Sequence, residues 1–183
     1  MINNKHELIK AFPANLQSDV LVVINTITKK ENLISPNYSE VQFYGVLLHI
    51  PHRIYYNEPT LPQYKSLTEK QQLLINCLYT RHDNGFIREE KLKSIINSCS
   101  KHSWIIPYLI LLTGDYVIEI LEVIKDNLDV IDKAEVKDFI ANNPVLYNSL
   151  ESHVVSYWNC YYRLEYPNKD DYAGFQILAY FNS

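Results

Sequence analysis

Cys77, His82, Cys99, His102 and Cys160 are the residue types that hold zinc, yet none of them stands at the close Cys-x-x-Cys or His-x-x-x-His spacing of a typical site. Buried thiols and surface imidazoles account for them. The same residues offer a Cys–His nucleophile its components but no motif. His82 and Asp83 are adjacent, an imidazole beside a carboxylate, and run directly into Asn84-Gly85. That order reads as a helix end followed by a turn, in which Gly85 takes a positive φ. No residue is therefore assigned a catalytic or metal-binding role, and no cofactor is implied.

Two other groups of side chains have a chemistry of recognition. Asp115, Glu119, Glu122, Asp126 and Asp129 lie three or four residues apart, which puts them on one face of a helix, and Asp132, Glu135 and Asp138 carry the charge onward. Like charges at that spacing repel by a few tenths of a kcal/mol per pair. A solvated face offset by Lys125, Lys133 and Lys137 explains them simply; a docking surface for a basic partner is the functional reading. Tyrosine is abundant, with 15 residues, and Tyr157, Trp158, Tyr161, Tyr162 and Tyr166 cluster around Arg163. On one helix, Tyr157 and Tyr161 fall with the core face, while Trp158, Tyr162 and Tyr166 form a second stripe. Packing between neighbours explains two apolar faces. Tyr, Trp and Arg are also the residues that anchor protein interfaces.

The elements that position these groups read as helices. The chain has 183 residues, 47% hydrophobic and 21% charged, enough for one globular domain with a sizeable core. Four glycines argue against a turn-rich sheet and against a glycine-rich phosphate loop. A net charge of −4 gives no support for nucleic-acid binding. Residues 1–7 show no apolar core behind a basic head, so no signal peptide is expected, and no apolar run is long enough to span a bilayer. Three widely spaced cysteines read as reduced thiols, which places the protein in the cytoplasm.

Leu16, Val20, Val23, Ile24 and Ile27 mark the first helix, with Asn15 as its cap and Lys29-Lys30 at its negative end, before a break at Ser35-Pro36-Asn37. Periodicity is weak from Tyr38 to Tyr64. Val46–Ile50 reads as a helix end stopped by Pro51, residues 52–57 as a short extended segment, and Pro59 and Pro62 as a rigid non-helical connection over about 51–66. Loops of this length are often functional. Thr68 and Gln71 then form a capping box ahead of Leu74, Ile75, Leu78 and Tyr79. Leu92, Ile95, Ile96 and Cys99 mark the next helix, 104–112 another, and Val117, Ile120, Leu121, Ile124 and Leu128 the one after it. Asp132–Asn142 is ended by Pro144. Leu146, Leu150, Val154, Tyr157, Tyr161 and Leu164 mark a long helix stopped at Pro167, and a last short one spans Asp171–Phe181. No hairpin signal competes.

Within this pattern Asp83, Ile87, Arg88, Leu92 and Ile95 resemble the second helix of a HEAT repeat, and Pro107 resembles the proline that bends the first helix of such a repeat. Lys91 departs from the small residue usual at its place, and the next helix pair lacks the acidic-turn-arginine sequence. The resemblance covers residues 68–128. It implies stacked antiparallel helix pairs, a HEAT-like α-solenoid or irregular bundle presenting a surface to a partner. His82-Asp83 also resembles the metal-binding pair of HD-domain phosphohydrolases, which would imply a ligand upstream at His49 or His52 and one downstream at Asp115 or Asp126.

The expectation is thus a single all-α domain over 1–183 that binds another protein, as a small acidic immunity or inhibitor protein or a scaffold. Its expected contact residues are Asp115, Glu119, Glu122, Asp126, Trp158, Tyr162 and Arg163, and its expected partner is a protein, basic in the inhibitor version. A metal-dependent hydrolase using His82 and Asp83 is the alternative.

Overall fold

The computed structural model describes residues 4–29 and 37–183. The expected break at Ser35-Pro36, the residue Lys30 and the first three residues lie outside them. The chain is mostly helical and divides into two compact units, Met1–Ile95 and Ile96–Ser183. The all-helical expectation holds only in that coarser form, because the first unit also carries two small antiparallel sheets.

In the first unit, a 3-10 turn at Ala14–Leu16 leads into α1 (Gln17–Thr26), so Asn15 lies in that turn rather than at the cap. A hairpin comes next, against the sequence expectation: β2 (Tyr38–Phe43) pairs with β3 (Val46–Pro51) in the register Phe43↔Val46 to Tyr38↔Pro51. Its two-residue turn holds Tyr44 at φ 46° and Gly45 at φ 76°. Left-handed backbone at both positions matches the twist of the strands, and a glycine takes the second place without strain. Ser39, Val41 and Phe43 face inward across from Leu48 and Ile50. This alternation was legible, but the mostly apolar run Val46–Ile50 imitates a helix end. The shorter sheet pairs β1 (Thr28–Lys29) with β4 (Tyr56–Asn57), so the segment expected to be extended over 52–57 is strand only at its last two residues.

Pro62, expected to keep its segment non-helical, sits in the first turn of α2 (Leu61–Lys65), where its missing N–H costs nothing. Thr60 and Gln63 form a capping box there. Thr68 and Gln71 form the expected one on α3 (Glu69–Tyr79). Leu74, Ile75 and Leu78 of α3 are buried, and α3 packs against α1 and against α4 (Gly85–Ile95). Gly85 opens α4 with ordinary helical backbone, and the Asn84 side chain accepts from the Phe86 N–H at 3.0 Å.

The second unit contains α5 (Ile106–Leu112), α6 (Ile118–Lys125), α7 (Lys133–Asn142), α8 (Pro144–Tyr157) and α9 (Ala173–Asn182). Every residue of α5 is buried, as an all-apolar helix requires. Pro107 stands in its first turn, where it starts the helix rather than bending it. Ile120, Leu121 and Ile124 of α6, Val136 and Phe139 of α7, Leu150 and Val154 of α8, and Ile177 and Phe181 of α9 complete the core. No helix among the described residues is long and apolar enough to cross a membrane.

Candidate functional site

The turn between α3 and α4 is built around buried polar groups. His82 is fully buried; its Nε2 lies 3.0 Å from the Tyr56 carbonyl, and its Nδ1 accepts from the Asn84 N–H at 2.9 Å. A backbone N–H only donates, so the neutral imidazole carries its proton on Nε2. Asp83 Oδ1 is 3.1 Å from Nδ1. The Arg88 guanidinium, also fully buried, donates to the carbonyls of His82 and Asp83 at 3.0 Å each. Arg81 donates to the carbonyls of Pro51 and His52. Ile54 hydrogen-bonds on either side of His82, from its N–H to the Arg81 carbonyl and from the Asp83 N–H to its own carbonyl. Both His82 nitrogens are thus engaged by backbone, an arrangement that holds a turn. Among the described residues no three His, Cys, Asp or Glu side chains converge as a metal-binding group. Cys77 and Cys99 are buried thiols, pushed up in pKa by burial, whereas Cys160, expected to be buried, is exposed.

The acidic residues of the second unit fall into different roles. Asp115 is only 4% exposed, and its Oδ1 accepts from the Val117 N–H at 3.1 Å ahead of α6. It is a buried turn acceptor and not a surface charge. Asp132, read as part of the charged run, caps α7 by accepting from the Ala134 and Glu135 N–H groups. Glu119 is exposed. Glu122 pairs with Lys125, which also lies 3.4 Å from the exposed Asp126. The hydrogen bond that Lys125 donates to Glu122 is the main cause that holds the Lys125 pKa above its usual range.

The aromatic stripes are reversed relative to expectation. α8 passes into a π-helical turn, Trp158–Tyr162, which takes up extra residues and rotates the chain beyond it. Tyr147, Leu150, Val154 and Trp158 face inward, while Tyr161 is 67% exposed and Leu164 98%. Trp158, expected as a contact residue, is buried: its Nε1 donates to the Tyr166 carbonyl at 2.9 Å, and its ring meets Phe175 edge-on. Tyr162 is half-buried, stacks on Tyr172, and donates to the Tyr116 carbonyl at 2.7 Å. Arg163 is exposed and lies 5.6 Å from the Trp158 ring.

The Tyr162 hydrogen bond to the Tyr116 carbonyl sets the π-helical turn beside the start of α6. Burial raises the Tyr162 pKa, and the Glu119 carboxylate adds to the shift. Burial likewise raises that of Tyr166, with Glu165 and Glu122 adding to it. Glu119, in the first turn of α6, follows Tyr116 by three residues and so lies near that turn. Beside it runs a row of rings: Tyr116 to Tyr157 at 6.0 Å, and Tyr157 to Tyr161 at 6.1 Å. Tyr116 and Tyr161 were not among the expected contacts. Tyr161 was expected on the core face, and no sequence signal singled out Tyr116. Asp126 stands at the C-terminal end of α6, beside Lys125.

Compared with protein-family models, with curated proteins and with solved structures, the chain matches none.

Proposed function

We propose that the chain is a non-enzymatic protein-binding module, with its binding face on the second unit and a basic protein as its partner. The observation that carries this is the exposed row of Tyr116 and Tyr161, with Arg163 and Leu164, beside the carboxylates of Glu119 and Glu122. Exposed tyrosines supply contact area with few rotatable bonds, and the acidic edge steers a cationic surface toward them. Such a face suits a small acidic immunity or inhibitor protein, and equally a scaffold component. In this reading the helix pairs, α3 with α4 among them, are of the HEAT-like stacked type. The unpaired thiols suit a reducing compartment such as the cytoplasm.

The test is to capture the partner with a tagged chain and then measure its affinity. Binding should weaken as salt rises. It should also fall at least about tenfold with Glu119→Lys or Tyr161→Ala, both exposed positions, while circular dichroism stays unchanged. A complex indifferent to salt and to both substitutions would overturn the proposal.

A further inference from the structure

The first unit contains a pocket of about 440 Å³, lined wholly by its own residues. The walls come from the Glu58-Pro59 connection, α2, α3 and α4. The volume lies within the range of small-molecule sites, roughly 300–1,000 Å³.

The lining has a definite chemical bias. Lys91 Nζ is 2.6 Å from Glu58 and 2.7 Å from Glu90, so its charge is already answered and one carboxylate is left in excess. Burial works against the Lys91 charge, but the two carboxylates more than offset it and hold the ammonium above its ordinary pKa range. Asn76 is only 4% exposed; its Nδ2 donates to the Tyr64 hydroxyl at 3.0 Å. Its carbonyl oxygen accepts no hydrogen bond from any described residue. Asn76 lines the pocket, and its amide oxygen can accept from a ligand's donor. The Tyr79 hydroxyl is committed to the Asn57 carbonyl at 2.5 Å, which leaves its ring as pocket wall. Leu61 and Ile75 supply apolar surface.

We propose that this pocket binds a small organic cation, a primary amine carried on an apolar or aromatic body. An ammonium brings three N–H donors to a lining rich in acceptors: the Glu58 and Glu90 carboxylates and the Asn76 carbonyl. The aromatic residues Tyr64 and Tyr79 in the lining favour a cation over a neutral group, and the body of the ligand packs on Leu61 and Ile75. A carboxylate ligand would meet the excess negative charge.

The test uses the full chain and phenethylamine, titrated by calorimetry and by amide chemical-shift mapping. Phenylethanol and phenylpropionate serve as the neutral and anionic controls. Phenethylamine should bind with a Kd on the order of a millimolar, as suits a ligand of its size, and shift the amides of Asn76, Tyr79 and Lys91. The two controls should bind at least about tenfold more weakly. Glu58→Gln removes the excess charge and should weaken the amine roughly tenfold. Should that variant unfold, Ser94→Tyr, at an exposed position on the rim, should block the pocket with the core intact. Absence of saturable phenethylamine binding, shifts confined to other residues, or phenylpropionate binding as tightly as the amine would each overturn the proposal.

Discussion

Replacing Arg88 by leucine should destabilise the first unit by about 3–5 kcal/mol, the range for removing one partner from a buried charged network. The guanidinium is fully buried and donates at 3.0 Å to two carbonyls, those of His82 and Asp83. Each charge-assisted bond contributes about 1.5–3 kcal/mol, so the pair supplies about 3–6 kcal/mol. Leucine relieves the cost of burying a cation but leaves both carbonyls at the end of α3 without that donor. Each orphaned group costs about 1–3 kcal/mol. Arg88→Lys keeps the charge without the planar fork and should lose about 1–3 kcal/mol, giving the order Arg, Lys, Leu. The probe must report on the first unit. Both tryptophans, Trp104 and Trp158, belong to the second, so fluorescence could miss the event. Urea unfolding followed by circular dichroism, with amide exchange at 80–84, reads it directly. A loss below about 1 kcal/mol for Arg88→Leu, with exchange at the turn unchanged, would refute the reasoning.

Packing and titration give two further outcomes. A Cβ added at Gly174 would stand 2.7 Å from Tyr172 Cε1 and 2.8 Å from Val154 Cγ1, so Gly174→Ala should cost about 1–3 kcal/mol, read as a lower unfolding midpoint by Trp158 fluorescence. Burial pushes the Tyr147 phenol up to about 12, with Glu151 adding to it. The native state therefore holds that proton where the unfolded chain has lost it, so stability is full below pH 10 and falls between about pH 10 and 12. The contribution is about 3 kcal/mol at most, and the alkaline loss should shrink in Tyr147→Phe, as followed by tyrosinate absorbance during unfolding.

Local order in the sequence determined a good part of this molecule. The capping box at Thr68 and Gln71 and the end of α7 before Pro144 depend on contacts within a few residues, and α3 and α6 each have a single apolar face, so spacing alone predicts them. Of the extended segment expected at 52–57, only Tyr56–Asn57 forms a strand, through pairing with β1 far back in the chain. Only the tertiary structure decided the rest. Asp115 looked like one more charge in a stripe, yet it lies buried ahead of α6 as an acceptor for the Val117 N–H. Lys91, an anomaly in a helical pattern, became a pocket residue once α4 was set opposite Glu58. The two aromatic stripes of α8 were equally apolar by spacing. Trp158 continues the buried row of Leu150 and Val154, and the π-helical turn that starts there leaves Tyr161 outward. The physical reason is common to all three. Helix period and capping are set by backbone geometry, whereas which apolar face is buried, and which charge finds a partner, depends on neighbours distant in the chain.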